Sequence, residues 1–175
     1  KVSTSKMVVI TGGPGTGKTT ILRGIINLCR KNFLQVRLAA PTGRAAKRMS
    51  ESTGEDAMTI HRLLEWNAGG FTVNENNPLK GDVLILDETS MINIKLMDAI
   101  MRAVPPRMKV VMVGDVDQLP PIGCGNVLKD IINSGVVPVT RLTKIYRQDA
   151  QSKIILNAHA INDGRLPDIS NPQGT

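Results

Sequence analysis

A glycine-rich stretch at residues 12–19, GGPGTGKT, matches the pattern G-x-x-x-x-G-K-[ST]. It lies between a short apolar run and a helical pattern, the context in which such a loop wraps a phosphate group. Lys18 is expected to reach the β- and γ-phosphates as a catalytic cation, and Thr19 to offer a hydroxyl ligand to Mg²⁺. A ligand-free glycine-rich turn is the alternative, which the context disfavours. The expected phosphate-binding residues are Gly13, Pro14, Gly15, Thr16, Gly17, Lys18, Thr19 and Thr20.

An acidic pair, Asp87 and Glu88, directly follows the aliphatic run at residues 83–86. Sheets of the α/β class place their sites at the carboxyl ends of strands, so this pair is expected beside the glycine-rich loop. Asp87 can hold Mg²⁺ through water, and Glu88 can polarise an attacking water as a catalytic base. The alternative is a solvated strand end. Two carboxylates directly after four aliphatic residues, in a chain that also has the glycine-rich loop, disfavour it.

A third polar segment, GDVDQLPP, follows another apolar run and carries Gln118. A glutamine here can donate a hydrogen bond to the γ-phosphate and respond to its loss. A loop amide fixed for structural reasons is the alternative, and from the residues alone both readings stay open.

Short apolar runs that alternate with helical periodicity predict an α/β domain, a parallel sheet flanked by helices. Strands are expected at 7–10, 36–39, 83–86, 110–113 and 136–142, and helices at 18–31, 43–52, 97–104, 127–132 and 154–161. The pattern fails over 66–80, where Gly and Asn are frequent. A small inserted hairpin subdomain is expected there, with residues 71–73 as its strand-like piece.

The chain has 175 residues and a formal net charge of +7, from 22 Lys plus Arg against 15 Asp plus Glu. One domain of ordinary size is expected, with a polyanionic partner. Only one Trp, one Tyr and two Phe are present. For a nucleic-acid partner, so few aromatic rings predict binding through its backbone phosphates more than through base stacking. Two cysteines and no long apolar or secretory segment predict a reduced, soluble, cytoplasmic protein without a membrane partner. A start at Lys1 without Met and a loop-like end at 171–175 predict a segment of a longer protein.

Six blocks in order resemble the first RecA-like motor domain of superfamily 1 DNA helicases, most closely the RecD-like branch that includes exodeoxyribonuclease V alpha subunits. Three blocks are specific in combination: APTGRAAKRM at 40–49, TIHRLL at 59–64 and GDVDQLPPIG at 114–123. The other three are GGPGTGKTT at 12–20, DETSM at 87–91 and LTKIYRQ at 142–148. Together the blocks cover nearly the whole chain.

The resemblance implies roles for individual residues. Gln118 is similar to the family's coupling glutamine, and Arg147 to the arginine that reaches the γ-phosphate in catalysis; a surface arginine is the alternative for the latter. The implied single-stranded DNA contacts are Thr42, Gly43, Arg44, Thr59, His61 and Arg62. Lys47 and Arg48 share a helix face with Arg44 and are weaker candidates for that surface. His61 is equally consistent with a hydrogen-bonded structural histidine.

The resemblance further implies an ATP- and Mg²⁺-dependent enzyme that moves 5′-to-3′ on single-stranded DNA and unwinds duplexes. A second RecA-like domain, absent from these 175 residues, is an implied partner, as are subunits of a nuclease complex. This segment alone is therefore expected to bind nucleotide and hydrolyse it poorly. The 66–80 hairpin resembles a strand-separating pin with Trp66 or Phe71 as its wedge; an aromatic residue that only anchors the hairpin is the alternative. A nucleotide-gated binding module without motor work is the alternative function, and a small-molecule kinase is disfavoured because no lid or acceptor pocket is evident.

Overall fold

The structure, a computed structural model, describes residues 5–144, 153–162 and 164–168. Its strands are β1 (Met7–Gly12), β2 (Val36–Ala40), β3 (Ala57–Thr59), β4 (Trp66–Asn67), β5 (Gly70–Phe71), β6 (Val83–Leu86), β7 (Lys109–Gly114) and β8 (Val139–Leu142). Its helices are α1 (Lys18–Lys31), α2 (Gly43–Thr53), α3 (Ile60–Leu63), α4 (Ile94–Ala103), α5 (Val127–Ser134) and α6 (Lys153–Asn162). A 3-10 turn spans Thr89–Met91.

Six strands form one sheet in the order β3-β2-β6-β7-β1-β8, and every neighbouring pair is parallel. This confirms the predicted parallel α/β architecture. Because the strands are parallel, their carboxyl ends all lie at one edge of the sheet, and the loops that follow them share that edge. The loops after β1, β2, β3, β6 and β7 carry the residues singled out from the sequence.

Alternate strand residues pack into two hydrophobic layers, one on each face of the sheet. Val8 and Ile10 of β1 join α1 and α2 on one face, and Val9 joins α3, α4 and α5 on the other. The same alternation holds in β6, β7 and β2, which explains why their sequences are nearly all aliphatic. The sheet is therefore covered on both of its faces.

Three short elements differ from the sequence expectation, and one of them is the four-residue helix α3, which was not predicted. β3 was not predicted, because three half-buried residues at the end of the sheet carry no apolar run. β8 begins at Val139, three residues later than expected. Outside these two strands, the predicted helices and strands have the bounds expected to within three residues.

The inserted hairpin is confirmed, and it is small. β4 and β5 pair antiparallel, with Trp66 opposite Phe71 and Asn67 opposite Gly70. The chain then returns across the domain, and Val73 and Leu79 are buried in the layer below α4. In the part of the chain that the structure describes, no helix has the length and apolarity needed to cross a membrane.

Candidate functional site

The glycine-rich loop connects β1 to α1 through backbone conformations that glycine permits. Gly15 and Gly17 have φ of 75° and 84°, and Gly17 is the residue that caps α1. At Gly12 the constraint is space, since a Cβ there would lie 2.7 Å from Thr16 Oγ1 and 2.8 Å from the Leu142 carbonyl oxygen. The loop is thus tightly curved at the start of α1, where backbone N–H groups and the helix dipole favour a phosphate.

Lys18 lies folded over this loop. Its ammonium donates hydrogen bonds to the carbonyl oxygens of Gly12 and Gly13, the second at 3.0 Å. Thr16 is buried and its hydroxyl donates to the Gly13 carbonyl at 2.8 Å, which holds the loop from below. The cation therefore lies against the glycine-rich loop, and its contact with phosphate groups stays a prediction.

The acidic pair leaves β6 at the same edge. The Asp87 N–H donates to the Ala39 carbonyl at 3.0 Å, extending the pairing with β2, and the Glu88 N–H donates to Asp87 Oδ1 at 2.9 Å. Glu88 has φ of 50°, a left-handed conformation that costs a non-glycine residue free energy. Backbone strain of this kind is frequent at functional sites, so it is consistent with the site predicted here.

The pKa of the Asp87 carboxyl is raised, first by burial and also by the neighbouring Glu88 charge. The Glu88 N–H and the positive charges of Lys18 and Arg48 oppose this rise without cancelling it. Asp87 thus lies in a half-buried acidic position that a further cation would stabilise in its ionised form.

The turn after Glu88 is anchored to the next strand and its loop. Thr89 is buried, and its hydroxyl donates to the Val113 carbonyl of β7 at 3.1 Å. Ser90 donates to Gln118 Oε1 at 3.1 Å. Gln118 and Glu88 are consequently tied to one short turn, although 30 residues separate them in sequence.

The loop that carries Gln118 is shaped by Asp115, which is 3% exposed. Asp115 Oδ1 accepts from the Asp117 N–H at 3.1 Å, and its carbonyl accepts from the Gln118 N–H at 3.3 Å. The Val116 N–H donates to the Thr11 hydroxyl of β1 at 3.2 Å. These bonds lock the loop after β7 against the end of the strand that leads into the glycine-rich loop. The sequence analysis assigned no role to Asp115, Ser90 or Thr11.

A cavity of about 520 Å³ lies between α1, α2 and the end of β6. Its polar lining comes from Thr19 and Thr20 of α1, from Arg48, Glu51 and Ser52 of α2, and from Asp87 and Glu88 after β6. The Thr19 hydroxyl and the Asp87 carboxylate are hard oxygen ligands of the kind Mg²⁺ takes, so this donor set fits the ion. No group of three His, Cys, Asp or Glu side chains able to hold a metal occurs among residues 5–144, 153–162 and 164–168. The remaining ligands would come from phosphates and water.

A second cavity of about 520 Å³ adjoins the loop on the β8 side. Its lining combines Thr16, Gly17, Thr20 and Ile21 with the strand end at 141–144, and is mostly apolar. The sequence analysis did not predict it, because β8 meets α1 only in the folded sheet.

The predicted DNA-contact residues lie at the same edge of the sheet, after β2 and β3, the two strands beyond β6. β2 and β3 are paired so that Ala40 faces Thr59, which places the loops after both strands side by side. Thr42 caps α2 by accepting from the Ala45 N–H, and Thr59 caps α3 by accepting from the Arg62 N–H, both at 3.2 Å. Each hydroxyl keeps its own hydrogen as a donor.

His61 contacts two rings of the inserted hairpin. Its ring centroid lies 6.3 Å from that of Trp66 and 5.8 Å from that of Phe71, and those two rings are 4.7 Å apart. Trp66 is 58% exposed. Within the described residues His61 forms no hydrogen bond, so the histidine belongs to an exposed ring cluster and is not a hydrogen-bonded structural histidine.

The basic face of α2 is divided between two surroundings. Gly43 and Arg44 lie exposed at the start of the helix, whereas Arg48 lines the cavity that contains Asp87. Lys47 is exposed and pairs with Glu51 at 3.9 Å. Arg48 is also exposed, so its place on the DNA surface stays a prediction beside its position at the cavity. Arg147 lies outside the described residues.

Comparisons with known proteins agree with this geometry. A family described as "AAA domain" matches residues 1–173. The chain is 44% identical over 162 residues to the ATP-dependent RecD2 DNA helicase of Deinococcus radiodurans, covering 93% of this chain and 22% of that protein. It is 36% identical to the RecBCD enzyme subunit RecD of Mycolicibacterium smegmatis, covering 75% of this chain and 29% of that one. The chain thus spans less than a third of either curated relative.

Solved structures are similar over nearly the whole chain. Bacteroides Pif1 bound to ssDNA superimposes with a TM-score of 0.65 at 26% identity, covering 94% of this chain and 44% of that one. The Pif1 helicase from Candida albicans gives the same TM-score and identity, covering 93% and 42%. The similarity therefore extends to the fold as well as to the motifs.

Proposed function

The chain belongs to the AAA domain family, and on that basis we propose that it is the ATP-binding motor domain of a RecD-like DNA helicase. In the full-length protein this domain would couple ATP hydrolysis to movement on single-stranded DNA, 5′-to-3′, and to duplex unwinding. One observation carries the proposal: Lys18, the acidic pair and Gln118 meet at one sheet edge that continues into the loops of Thr42 and Thr59.

The phosphate groups of ATP would bind at residues 13–20. Lys18 would exchange its loop carbonyl partners for β- and γ-phosphate oxygens, since an ammonium bonds more strongly to an anion than to a neutral carbonyl. The mostly apolar cavity beside Ile21 and β8 has the size and lining to take an uncharged ring such as a nucleobase.

Glu88 would hold and deprotonate the attacking water, because it lines the cavity beside Asp87. Gln118 accepts from Ser90 through Oε1, so its amide N–H groups stay available to donate to a γ-phosphate oxygen. Arg147, from the block at 142–148, would add a second cation to the γ-phosphate.

Thr19 and Asp87 would hold Mg²⁺, Asp87 through water. When bound, the ion neutralises charge on the β- and γ-phosphate oxygens.

Single-stranded DNA would cross the loops after β2 and β3. The exposed Arg44 and Arg62, the helix start at Gly43 and the hydroxyls of Thr42 and Thr59 supply phosphate contacts. The cluster of His61, Trp66 and Phe71 adds an exposed stacking surface, which suits the strand-separating role of the hairpin. A second motor domain would complete the ATP site, and subunits of a nuclease complex are further partners by similarity to RecD.

The proposal is tested by ATP hydrolysis of the full-length protein with and without single-stranded DNA. We expect stimulation by DNA, and a loss of at least about 100-fold in turnover for Glu88→Gln with nucleotide binding retained. Glu75→Gln is the matched control, since Glu75 pairs with Arg102 away from the site. Hydrolysis that DNA does not stimulate, or that survives Glu88→Gln, would contradict the motor function.

A further inference from the structure

Arg48 occupies a place that the proposed mechanism does not use. It projects from the second turn of α2 and lines the same cavity as Asp87 and Glu88, with Thr19 on the opposite wall. A cation therefore borders the space in which the acidic pair and a metal ligand come together.

Arg48 also lacks a partner of its own. Its neighbour Lys47 pairs with Glu51, and Arg30 at the end of α1 pairs with Glu55. Among residues 5–144, Arg48 takes part in no ion pair and no hydrogen bond, and neither Asp87 nor Glu88 has an ion-pair partner. The positive charge of Arg48 acts on Asp87, and the third carboxylate that lines the cavity, Glu51, is paired with Lys47. Within this described range, no other side chain therefore holds its guanidinium, which can orient toward the carboxylates of the cavity.

We propose that Arg48 is a positioning residue of the nucleotide site. Its guanidinium compensates part of the negative charge of the Asp87 and Glu88 carboxylates, and it thereby competes with Mg²⁺ for them. The inference rests on the proposed nucleotide site. Two adjacent carboxylates in a half-buried cavity repel each other, and a cation across the cavity relieves that repulsion. An arginine stays charged at any working pH, so its effect on an incoming cation persists.

The competition has a definite sign. Mg²⁺ delivers two positive charges to the position that the guanidinium faces, so the arginine weakens metal binding by like-charge repulsion. A residue that bound the γ-phosphate would act in the opposite direction, since its removal would weaken nucleotide binding whether or not metal is present. The two roles are therefore separable by the Mg²⁺ dependence of binding.

The experiment is a Mg²⁺ titration of the binding of a fluorescent, non-hydrolysable ATP analogue to the full-length protein. We expect Arg48→Gln to lower the half-saturating Mg²⁺ concentration by about two- to tenfold, the range for a partly solvated charge interaction. Arg48→Lys should restore the wild-type value because it keeps the charge. Arg107→Gln, an exposed arginine at the opposite edge of the sheet, is the matched control and should leave the value unchanged.

An unchanged or higher half-saturating Mg²⁺ concentration in Arg48→Gln would overturn the inference, as would an equal loss of analogue binding in Mg²⁺ and in EDTA. Equal melting temperatures of wild type and Arg48→Gln establish that the comparison is made between folded proteins. Failure of the proposed function has a different signature, because the wild type itself would then bind no analogue, or Lys18→Ala would bind it normally.

Discussion

The hydroxyl of Ser90 donates a hydrogen bond to the side-chain carbonyl of Gln118 at 3.1 Å, joining the turn after β6 to the loop after β7. Ser90 is 5% exposed and lies two residues after Glu88. The bond therefore links the proposed water-activating carboxylate to the proposed γ-phosphate sensor through a single turn. A change at either group can reach the other without any rearrangement of the sheet.

Removal of this link should slow catalysis more than it weakens binding. For Ser90→Ala we expect turnover to fall about five- to twentyfold, the equivalent of one hydrogen bond, with little change in nucleotide affinity. The measurement is steady-state ATP hydrolysis with single-stranded DNA, alongside equilibrium nucleotide binding. The control is Ser90→Ala combined with Gln118→Ala: if the residues act together, the double variant is no worse than Gln118→Ala alone. Additive losses would mean that Ser90 does not act through Gln118.

Loss of the loop cation should abolish most nucleotide affinity. We expect Lys18→Ala to weaken ATP binding by about 10- to 100-fold, because a hydrogen-bonded charge pair with phosphate is lost. Lys31→Ala, at the exposed end of the same helix, should bind normally. Calorimetric titration measures both, and similar affinities for the two variants would exclude the glycine-rich loop as the phosphate site.

Two glycines near this loop should respond oppositely to alanine. At Gly12 an added methyl group meets Thr16 Oγ1 and the Leu142 carbonyl below 3.0 Å, so Gly12→Ala should lower the free energy of unfolding by about 1–3 kcal/mol. At Gly24, inside α1, nothing lies within 4 Å of the added atom, and Gly24→Ala should raise it by about 0.5–1 kcal/mol. Urea unfolding measures both, and equal effects would contradict the packing described at Gly12.

The edge that carries Arg44 should dominate binding to single strands. Arg44→Ala should weaken single-stranded DNA binding and reduce the slope of log affinity against log salt by about 0.7, the value for one phosphate contact. Arg107→Ala is the control, because Arg107 lies in the loop before β7, at the opposite edge of the sheet. Fluorescence anisotropy at several salt concentrations provides the slopes. If the Arg107 variant loses as much as the Arg44 variant, binding is non-specific to the basic surface.

The two cysteines should differ sharply in reactivity. Burial raises the pKa of the Cys29 thiol, so thiolate is scarce there at pH 8, whereas Cys124 is exposed. Iodoacetamide labelling mapped by peptide mass spectrometry should modify Cys124 rapidly and Cys29 only after denaturation. The thiol of Cys29 ionises at higher pH in the folded protein than in the unfolded chain. The free energy of unfolding should therefore fall only as the pH rises above about 8.5, where the unfolded thiol loses its proton. Rapid labelling of native Cys29 would contradict its burial.

The glycine-rich loop, the acidic pair and the main strands were all predictable from local residues. A phosphate loop needs glycines, a lysine and a hydroxyl at fixed positions along one contiguous segment, so the chemistry is visible in GGPGTGKT itself. The strand at 83–86 is aliphatic throughout because both of its faces are covered, and the periodicity of α1 follows from its single buried side. In each case the physical cause acts within one element.

The relationships between segments were not predictable in this way. The contact between Ser90 and Gln118 and the cavity shared by Arg48 and Asp87 join residues that follow different strands. They exist because β2, β6 and β7 are neighbours in a sheet whose order differs from the order of the chain. Hydrophobic patterning determined which residues became strands and which loop could hold a phosphate. Only the packing of those strands decided which polar side chains face one another, since that depends on long-range pairing that no local pattern encodes.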